Sequence, residues 1–105
     1  MPQTTLDVAA LRDAAAAATD FLRTLANPDR LMLLCQLASG ERCVGDLEVE
    51  TGIAQPTLSQ QLAVLRRQEL VQTRREGKQI HYRIADPRVL SMLVQLQQLF
   101  CATED

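Results

Sequence analysis

Leucines recur at helical spacing near the middle of the chain. Leu58, Leu62 and Leu65 stand at positions i, i+4 and i+7, so they share one face and predict a helix anchored to a core. The opposite face carries Pro56, Gln60, Ala63 and Arg67, and it is flanked by Thr57 and Ser59. These are short or amide-bearing side chains, with one long cation. Such side chains reach base edges and phosphate oxygens and permit close approach of the backbone. The pattern therefore predicts a helix that lies in a nucleic acid groove.

Two strand-like segments, residues 70–75 and 79–84, follow this helix. Apolar and polar side chains alternate in both, which is typical of strands with one buried face. The connection Glu76-Gly77-Lys78 is short and places glycine where a positive φ is needed. A helix of the kind just described, followed by a basic hairpin, is the layout of a winged helix-turn-helix. An ordinary hairpin with a solvated charged edge is the alternative.

The remaining helices are predicted from periodicity and end signals. Residues 7–25 carry a heptad seam with central alanines, made of Val8, Leu11, Ala15, Ala18, Leu22 and Leu25. A plain core helix is the alternative for this stripe. Asn27-Pro28 opens a second helix that runs to about Ala38. Its predicted inner face consists of Leu31, Leu34, Cys35 and Ala38. A third helix spans residues 43–51, with Val44 and Leu47 turned inward.

Asp86-Pro87 opens the last helix, which runs to about Cys101 and is apolar over a broad arc. This arc contains Leu90, Leu93, Val94, Leu96, Leu99 and Phe100. Because one contact does not require so wide an apolar surface, the first and last helices are predicted to form a dimer interface. The expected fold is mainly α with a β-hairpin wing, in the order α-α-α-α-β-β-α. It forms one domain over residues 1–105, with a disordered tail at residues 1–5.

Charge is distributed unevenly along the chain. The net charge is −2, but residues 66–88 hold seven basic and three acidic side chains, a balance of +4. The basic charge is concentrated on the end of the groove-binding helix and on the hairpin, where phosphates of a bound nucleic acid would lie. Counterion release there would make the affinity sensitive to salt.

Several classes of protein are not expected from the sequence. No apolar run approaches the ~20 residues of a membrane span. No secretion signal precedes the first helix, so a cytoplasmic location is expected. The chain has no Gly-rich phosphate loop, no acid–base pair placed by a motif and no Cys–His dyad. We therefore expect neither an enzyme nor a resident cofactor.

Taken together, the motifs resemble the arsenic-repressor family of bacterial winged-helix regulators. They are a helix opening N-P-x-R-L, a V-G-D-L helix, a T-L-S-Q-Q-L recognition helix, and a Gly-tipped wing leading into Tyr82. The resemblance covers about residues 20–101. It implies a homodimer that represses transcription from a palindromic operator and is released by an inducer. Each recognition helix would enter a major groove, with half-sites about one helical turn apart.

The resemblance also implies the residues that contact DNA. On and just before the recognition helix these are Gln55, Thr57, Ser59, Gln60 and Gln61. Gln61 ranks below Gln60 because it points more to the side of the predicted helix. Arg67 joins them on the exposed face, and Arg75 and Lys78 serve the wing.

The three cysteines are the candidate sensor residues. The segments L-L-C-Q-L around Cys35 and L-F-C ending at Cys101 resemble the reactive-sulfur and redox-responsive branch of the family. This resemblance implies that reactive sulfur species or oxidants join Cys35 to Cys101 through a disulfide or a short polysulfide. From its own position on an apolar stripe, Cys35 equally fits a small buried hydrophobic residue. Cys43, at a helix N-terminus, is either inert or an accessory thiol.

A thiophilic metal or metalloid sensor that uses the three cysteines across subunits is the main alternative. The arsenic and cadmium members place closely spaced cysteines in a C-V-x-D-L helix, where this chain has Gly45 in place of the second. Zinc members use Asp and His on the last helix, which here offers Asp86 and no histidine. The lone His81 is interpreted as a DNA-facing or solvated residue, and no metal ligands are assigned. An interaction module that dimerises without binding DNA is the alternative from another class.

Overall fold

The computed structural model describes residues 5–101, which form five helices and one small antiparallel sheet. In chain order these are α1 (Val8–Leu25), α2 (Pro28–Ala38), β1 (Arg42–Cys43), α3 (Val44–Thr51), α4 (Thr57–Arg67), β2 (Val71–Glu76), β3 (Gln79–Ile84) and α5 (Pro87–Phe100). This is the predicted mainly α architecture with a hairpin wing, extended by strand β1. The tail predicted for residues 1–5 lies outside the described residues, except for Thr5.

The ends of the helices follow the local sequence signals. The side chain of Asn27 accepts a hydrogen bond from the backbone N–H of Arg30 at 3.0 Å, and Pro28 occupies the first turn of α2, as predicted. Gly52 ends α3 in the left-handed region, with φ 73°. Gly77, with φ 62°, makes the turn between β2 and β3 that the sequence indicated.

The core is built almost entirely of leucine. Leu58, Leu62 and Leu65 of α4 are 0, 1 and 0 % exposed, so the predicted buried face of this helix is confirmed. They join Leu25, Leu33, Leu34, Leu37, Leu47, Leu70, Val71 and Val89 in one cluster. Val44 and Tyr82 pack against its edge. Burial of the leucine face fixes which side of α4 is left for solvent or a partner.

The inner face predicted for α2 is wrong in part. Leu34 is buried as expected, but Leu33 and Leu37 complete the buried face, while Cys35 and Ala38 are exposed. Residues 31–35 are apolar on every side of the helix, so spacing alone does not select one stripe. Contacts of α2 with α3, α4, β3 and α5 make the selection.

The sheet has the strand order β1-β3-β2. β2 and β3 pair from Val71 opposite Ile84 to Glu76 opposite Gln79, which forms the wing. Strand β1 was not predicted because a run of two residues has no recognisable alternation. It pairs Cys43 with His81 across the base of the wing.

An apolar face on α1 and α5 remains uncovered within the chain. It consists of Val8, Leu11, Leu22, Leu90, Val94, Leu99 and Phe100, all exposed. Of the heptad seam of α1 only Leu25 is buried, and α5 is anchored by Val89, which was not part of the predicted apolar arc. Among the described residues, no helix is long and apolar enough to span a membrane.

Candidate DNA-binding surface and sensor thiols

Helix α4 presents a polar surface opposite its leucines. Ser59, Gln60, Ala63 and Arg67 are exposed, and Thr57 is half-buried at the first turn. The leucine face is stabilised only by packing on the core, so α4 holds its polar side chains toward solvent. Short side chains and an outward amide suit the edge-reading role predicted for this helix.

Gln55 helps to begin this helix. Its side-chain oxygen accepts a hydrogen bond from the backbone N–H of Ser59 at 3.2 Å, and Pro56, at the cap position, makes no side-chain cap bond. One backbone donor of the first turn is thereby satisfied. Gln55 itself is exposed to solvent.

A shallow cleft of about 430 Å³ runs between α4 and the wing. Ser59, Ala63, Arg66, Arg67 and Tyr82 line it. Arg66 and Tyr82 were not among the predicted site residues. The basic pair at the end of α4 was a signal for Arg66, whereas alternation had assigned Tyr82 only to the apolar face of its strand. The path of β3 past the end of α4 brings them together.

The basic residues of the wing are not equivalent. The guanidinium of Arg74 lies 2.6 Å from Glu41 and 2.6 Å from Glu76. The hydrogen bond from Arg74 lowers the pKa of both carboxyl groups, and the bond to Glu41 is the main reason that the pKa of Arg74 is raised. Arg74 is therefore neutralised within the chain.

Arg75 and Lys78 remain available near the tip of the wing. Arg75 is exposed and donates from Nε to the backbone oxygen of Gly77 at 3.3 Å. Lys78 is exposed and makes no ion pair with another described residue. These are the two wing residues that the resemblance implied for DNA contact.

His81 occupies a different environment from the one predicted. It is half-buried, faces Cys43 across the strand pair, and its Nε2 is shielded from solvent without a hydrogen-bond partner among the described residues. Because side chains alternate along β3, His81 lies on the opposite sheet face from Tyr82. The interpretation of His81 as DNA-facing or solvated is therefore corrected.

Gln61 turns away from the exposed face of α4. It is half-buried, and its side-chain oxygen accepts a hydrogen bond from Nη1 of Arg30, on α2, at 2.9 Å. The sideways orientation expected for Gln61 is present, and a DNA contact by this residue stays a prediction.

Cys35 and Cys101 come from distant parts of the chain and lie within electrostatic range of each other. Both are free and exposed, Cys35 on α2 and Cys101 immediately after α5. Partial burial of the sulfur raises the pKa of Cys35, and the neighbouring Cys101 raises that pKa further. Since a charge acts over several ångströms, this influence places the two thiols in the same region of the molecule. The reading of Cys35 as a small buried hydrophobic residue is wrong because the side chain is exposed.

Cys43 stands apart from this pair. It is half-buried at the junction of β1 and α3 and makes no capping hydrogen bond with its side chain. Within residues 5–101 of one chain, no three His, Cys, Asp or Glu side chains are grouped to hold a metal ion. The alternative of a metal site shared between two subunits stays a prediction.

The buried leucine face, the outward polar helix and the basic wing define the class of a winged-helix DNA-binding regulator. The family model described as "Bacterial regulatory protein, arsR family" matches residues 27–73. The biofilm growth-associated repressor of Agrobacterium fabrum is 55% identical over 84 residues, which cover 80% of this chain and 72% of that protein. The transcriptional activator HlyU of Vibrio cholerae is 40% identical over 86 residues, covering 82% of this chain and 80% of HlyU.

Solved structures agree with the sequence relatives. The crystal structure of the transcriptional repressor BigR from Xylella fastidiosa superposes with a TM-score of 0.90 at 44% identity, covering 93% of this chain and all of that one. The chain belongs to the arsR family of bacterial regulatory proteins. It is a DNA-binding transcriptional repressor of that family and not an enzyme.

Proposed function

We propose that this repressor acts as a homodimer on a palindromic operator and leaves it when Cys35 becomes covalently joined to Cys101. The observation that carries the sensing half is that two exposed, free thiols, on α2 and at the end of α5, lie within electrostatic range of each other. The structure of reduced HlyU from Vibrio cholerae is similar to this chain, with a TM-score of 0.81 at 37% identity. A relative described in a reduced state supports thiol chemistry as the sensing step. The inducer is a reactive sulfur species or an oxidant.

The uncovered apolar face of α1 and α5 supports the dimer. Leu99 and Phe100 are 73 and 81 % exposed, which is unusual for adjacent large apolar side chains on a helix. The radius of gyration is 15.8 Å, whereas a compact domain of this length has a value of about 13 Å. A second copy of the chain, packed on this face, would bury these side chains and give a more compact dimer.

The polar surface of α4 supports reading of the major groove. In the dimer the two recognition helices would enter successive major grooves, so each operator half would be contacted by Thr57, Ser59, Gln60 and Arg67. Arg75 and Lys78 would meet phosphates at the wing, and Arg66 and Tyr82 would line the backbone path between helix and wing. We place this action in the cytoplasm, where operator DNA lies.

The proposed chemistry balances without a cofactor. The thiolate of Cys35 attacks the outer sulfur of a small persulfide RSSH, which leaves a protein persulfide and the thiol RSH. The thiolate of Cys101 then displaces hydrosulfide and closes the disulfide. In total two protein thiols and RSSH give the disulfide, RSH and H₂S. Insertion of further sulfane sulfur before closure would give a longer bridge.

The bridge would act on DNA binding through the position of α2. This helix carries Cys35 on its exposed side and packs its opposite side against α3 and α4. A covalent link to the end of α5 would tie the proposed dimer face to the helices that position α4. A changed separation or tilt of the two recognition helices would misfit the half-sites and lower affinity.

The test follows operator binding and cross-linking together. The reduced protein is treated with glutathione persulfide, its mass is measured without reductant, and operator affinity is measured by fluorescence anisotropy. Wild type is expected to form the Cys35–Cys101 link and to lose affinity, and Cys43→Ser is expected to behave in the same way. Cys35→Ser and Cys101→Ser should bind operator normally and fail to release it.

Three results would contradict parts of the proposal. Normal release by Cys35→Ser would remove the sensing role of the thiol pair. Release caused by stoichiometric arsenite or zinc, without a sulfur cross-link, would favour the metal-sensing alternative. Unchanged affinity and salt dependence after replacement of Gln60 and Lys78 by alanine would show that the assigned surface does not read the operator.

A further inference from the structure

Arg30 occupies the corner where α1, α2 and α4 meet. Its Nε donates to the backbone oxygen of Thr24 at 2.6 Å, Nη2 donates to the oxygen of Arg23 at 3.3 Å, and Nη1 donates to the side-chain oxygen of Gln61 at 2.9 Å. One planar group therefore joins the end of the first helix to the side of the recognition helix.

The bond to Thr24 supplies a partner that the helix itself lacks. The next backbone donor in helical register would come from Pro28, which has no N–H. A cation at this end also complements the negative end of the α1 dipole. The backbone oxygens at this end of α1 are therefore held in place to accept hydrogen bonds from a guanidinium.

The bond to Gln61 is the second half of the connection. Gln61 lies on α4 between the exposed Gln60 and the buried Leu62, and its oxygen points back to α2. A side chain held in this way is not free to read a base edge with the same atom. Its position suits a role in setting the rotation of α4.

We infer that Arg30 is a positioning residue that sets the orientation of the recognition helix relative to α1. Through α1 it would also set the distance between the two recognition helices of the dimer. The inference rests on the proposed dimer, because α1 carries part of the apolar face proposed to form it. Arg30 would then control operator spacing without touching DNA. Gln61 would be its partner and not a base contact.

Arginine is specific for this arrangement. A guanidinium presents donors in one rigid plane and can serve three acceptors on two helices, whereas an ammonium group is a compact charge on a flexible stem. Arg30→Lys therefore keeps the charge and removes the fork. Gln61→Leu keeps the volume and removes the acceptor.

The experiment measures preference for half-site spacing. An operator is selected from random duplexes with the wild-type protein, and versions with one base pair inserted or removed between the half-sites are prepared. Arg30→Lys and Gln61→Leu are each expected to reduce the ratio of affinities for natural and altered spacing by about tenfold. The slope of affinity against salt should stay as in wild type, because no phosphate contact is lost. The double variant should be no worse than the more affected single variant.

Arg23→Met is the matched control, because it removes a nearby arginine whose side chain, among the described residues, pairs only with Asp20. It should keep the wild-type spacing ratio. Thermal unfolding of every variant is recorded, and if Arg30→Lys does not fold, Gln61→Leu decides. Wild-type spacing ratios in folded Arg30→Lys or Gln61→Leu would overturn the inference. So would a changed base preference in Gln61→Leu with the spacing ratio intact. Failure of wild type to select any operator would instead overturn the proposed function.

Discussion

Two apolar stripes of similar regularity have opposite fates in this chain. The leucines of α4 are buried against α2 and the sheet, whereas Leu11 and Leu22 of α1 are 54 and 52 % exposed. A periodic stripe shows that a face will be covered, but not whether the cover comes from the same chain. In the half formed by α2–α4 and the sheet, the apolar side chains are covered by the same chain. The apolar face of α1 and α5 remains available to pack against a partner.

The same contrast holds for charges. Arg74 is paired with two carboxylates of its own chain, while Lys78 extends from the wing without an ion pair among the described residues. Both stand in the same basic segment of the sequence. Charged groups that pair within the chain stabilise its structure, whereas charged groups that do not are candidates for contact with DNA.

Leu62→Ala gives the largest expected effect on the internally satisfied half. Removing most of a side chain that is 1 % exposed should lower the free energy of unfolding by about 3 kcal/mol, through lost burial and the cavity left behind. Urea denaturation measures the change. Val49→Ala, at an 84 % exposed position on α3, is the control and should change stability by less than about 0.5 kcal/mol. Equal effects at the two positions would break the comparison.

Leu11→Asp tests the open half. Placing a carboxylate in the apolar face of α1 and α5 should raise the dimer dissociation constant at least about a hundredfold, because the charge must be desolvated on association. Sedimentation equilibrium measures this constant. Val49→Asp is the matched control and should dimerise as wild type. An unchanged dissociation constant for Leu11→Asp would show that this face does not join two copies.

The thiols lie where the two halves meet, and their reactivity should depend on pH. The pKa of Cys35 is raised by partial burial and by Cys101. Since the thiolate is the reactive form, alkylation of Cys35 by iodoacetamide should accelerate about tenfold per pH unit below that pKa and level off above it. Mass spectrometry of the labelled peptide gives the rate. In Cys101→Ser the profile should move to lower pH, and an identical profile would mean that the two thiols are not coupled.

Lys78→Ala should give the smallest of these effects. Loss of one phosphate contact lowers the magnitude of the slope of log affinity against log salt by about 0.9, and affinity near physiological salt by roughly fivefold. A salt titration of operator binding measures both. Arg74→Ala should leave the slope unchanged, because its guanidinium is held by Glu41 and Glu76. A larger slope change for Arg74→Ala than for Lys78→Ala would show that Arg74, and not Lys78, contacts phosphate.

Local signals in the sequence were sufficient for most elements of the fold. Asn27 and Pro28 start α2, Gly52 ends α3, and Gly77 turns the wing, because each acts within a few residues of its own position. The leucine spacing of α4 fixed its buried face and therefore its outward polar side. These features follow from backbone geometry and periodicity, which need no knowledge of distant residues.

Other features were decided only by the tertiary structure. The choice of Leu33 and Leu37 over Cys35 and Ala38 as the buried side of α2 depends on which elements pack there, since the helix is apolar all round. Arg74 pairs with Glu41, and Arg30 donates a hydrogen bond to Gln61. Each of these contacts joins residues more than 30 positions apart. Cys35 and Cys101, 66 positions apart in the sequence, come within electrostatic range for the same reason. A pattern along the chain records which face an element prefers, whereas distances between elements depend on the path of the whole folded chain.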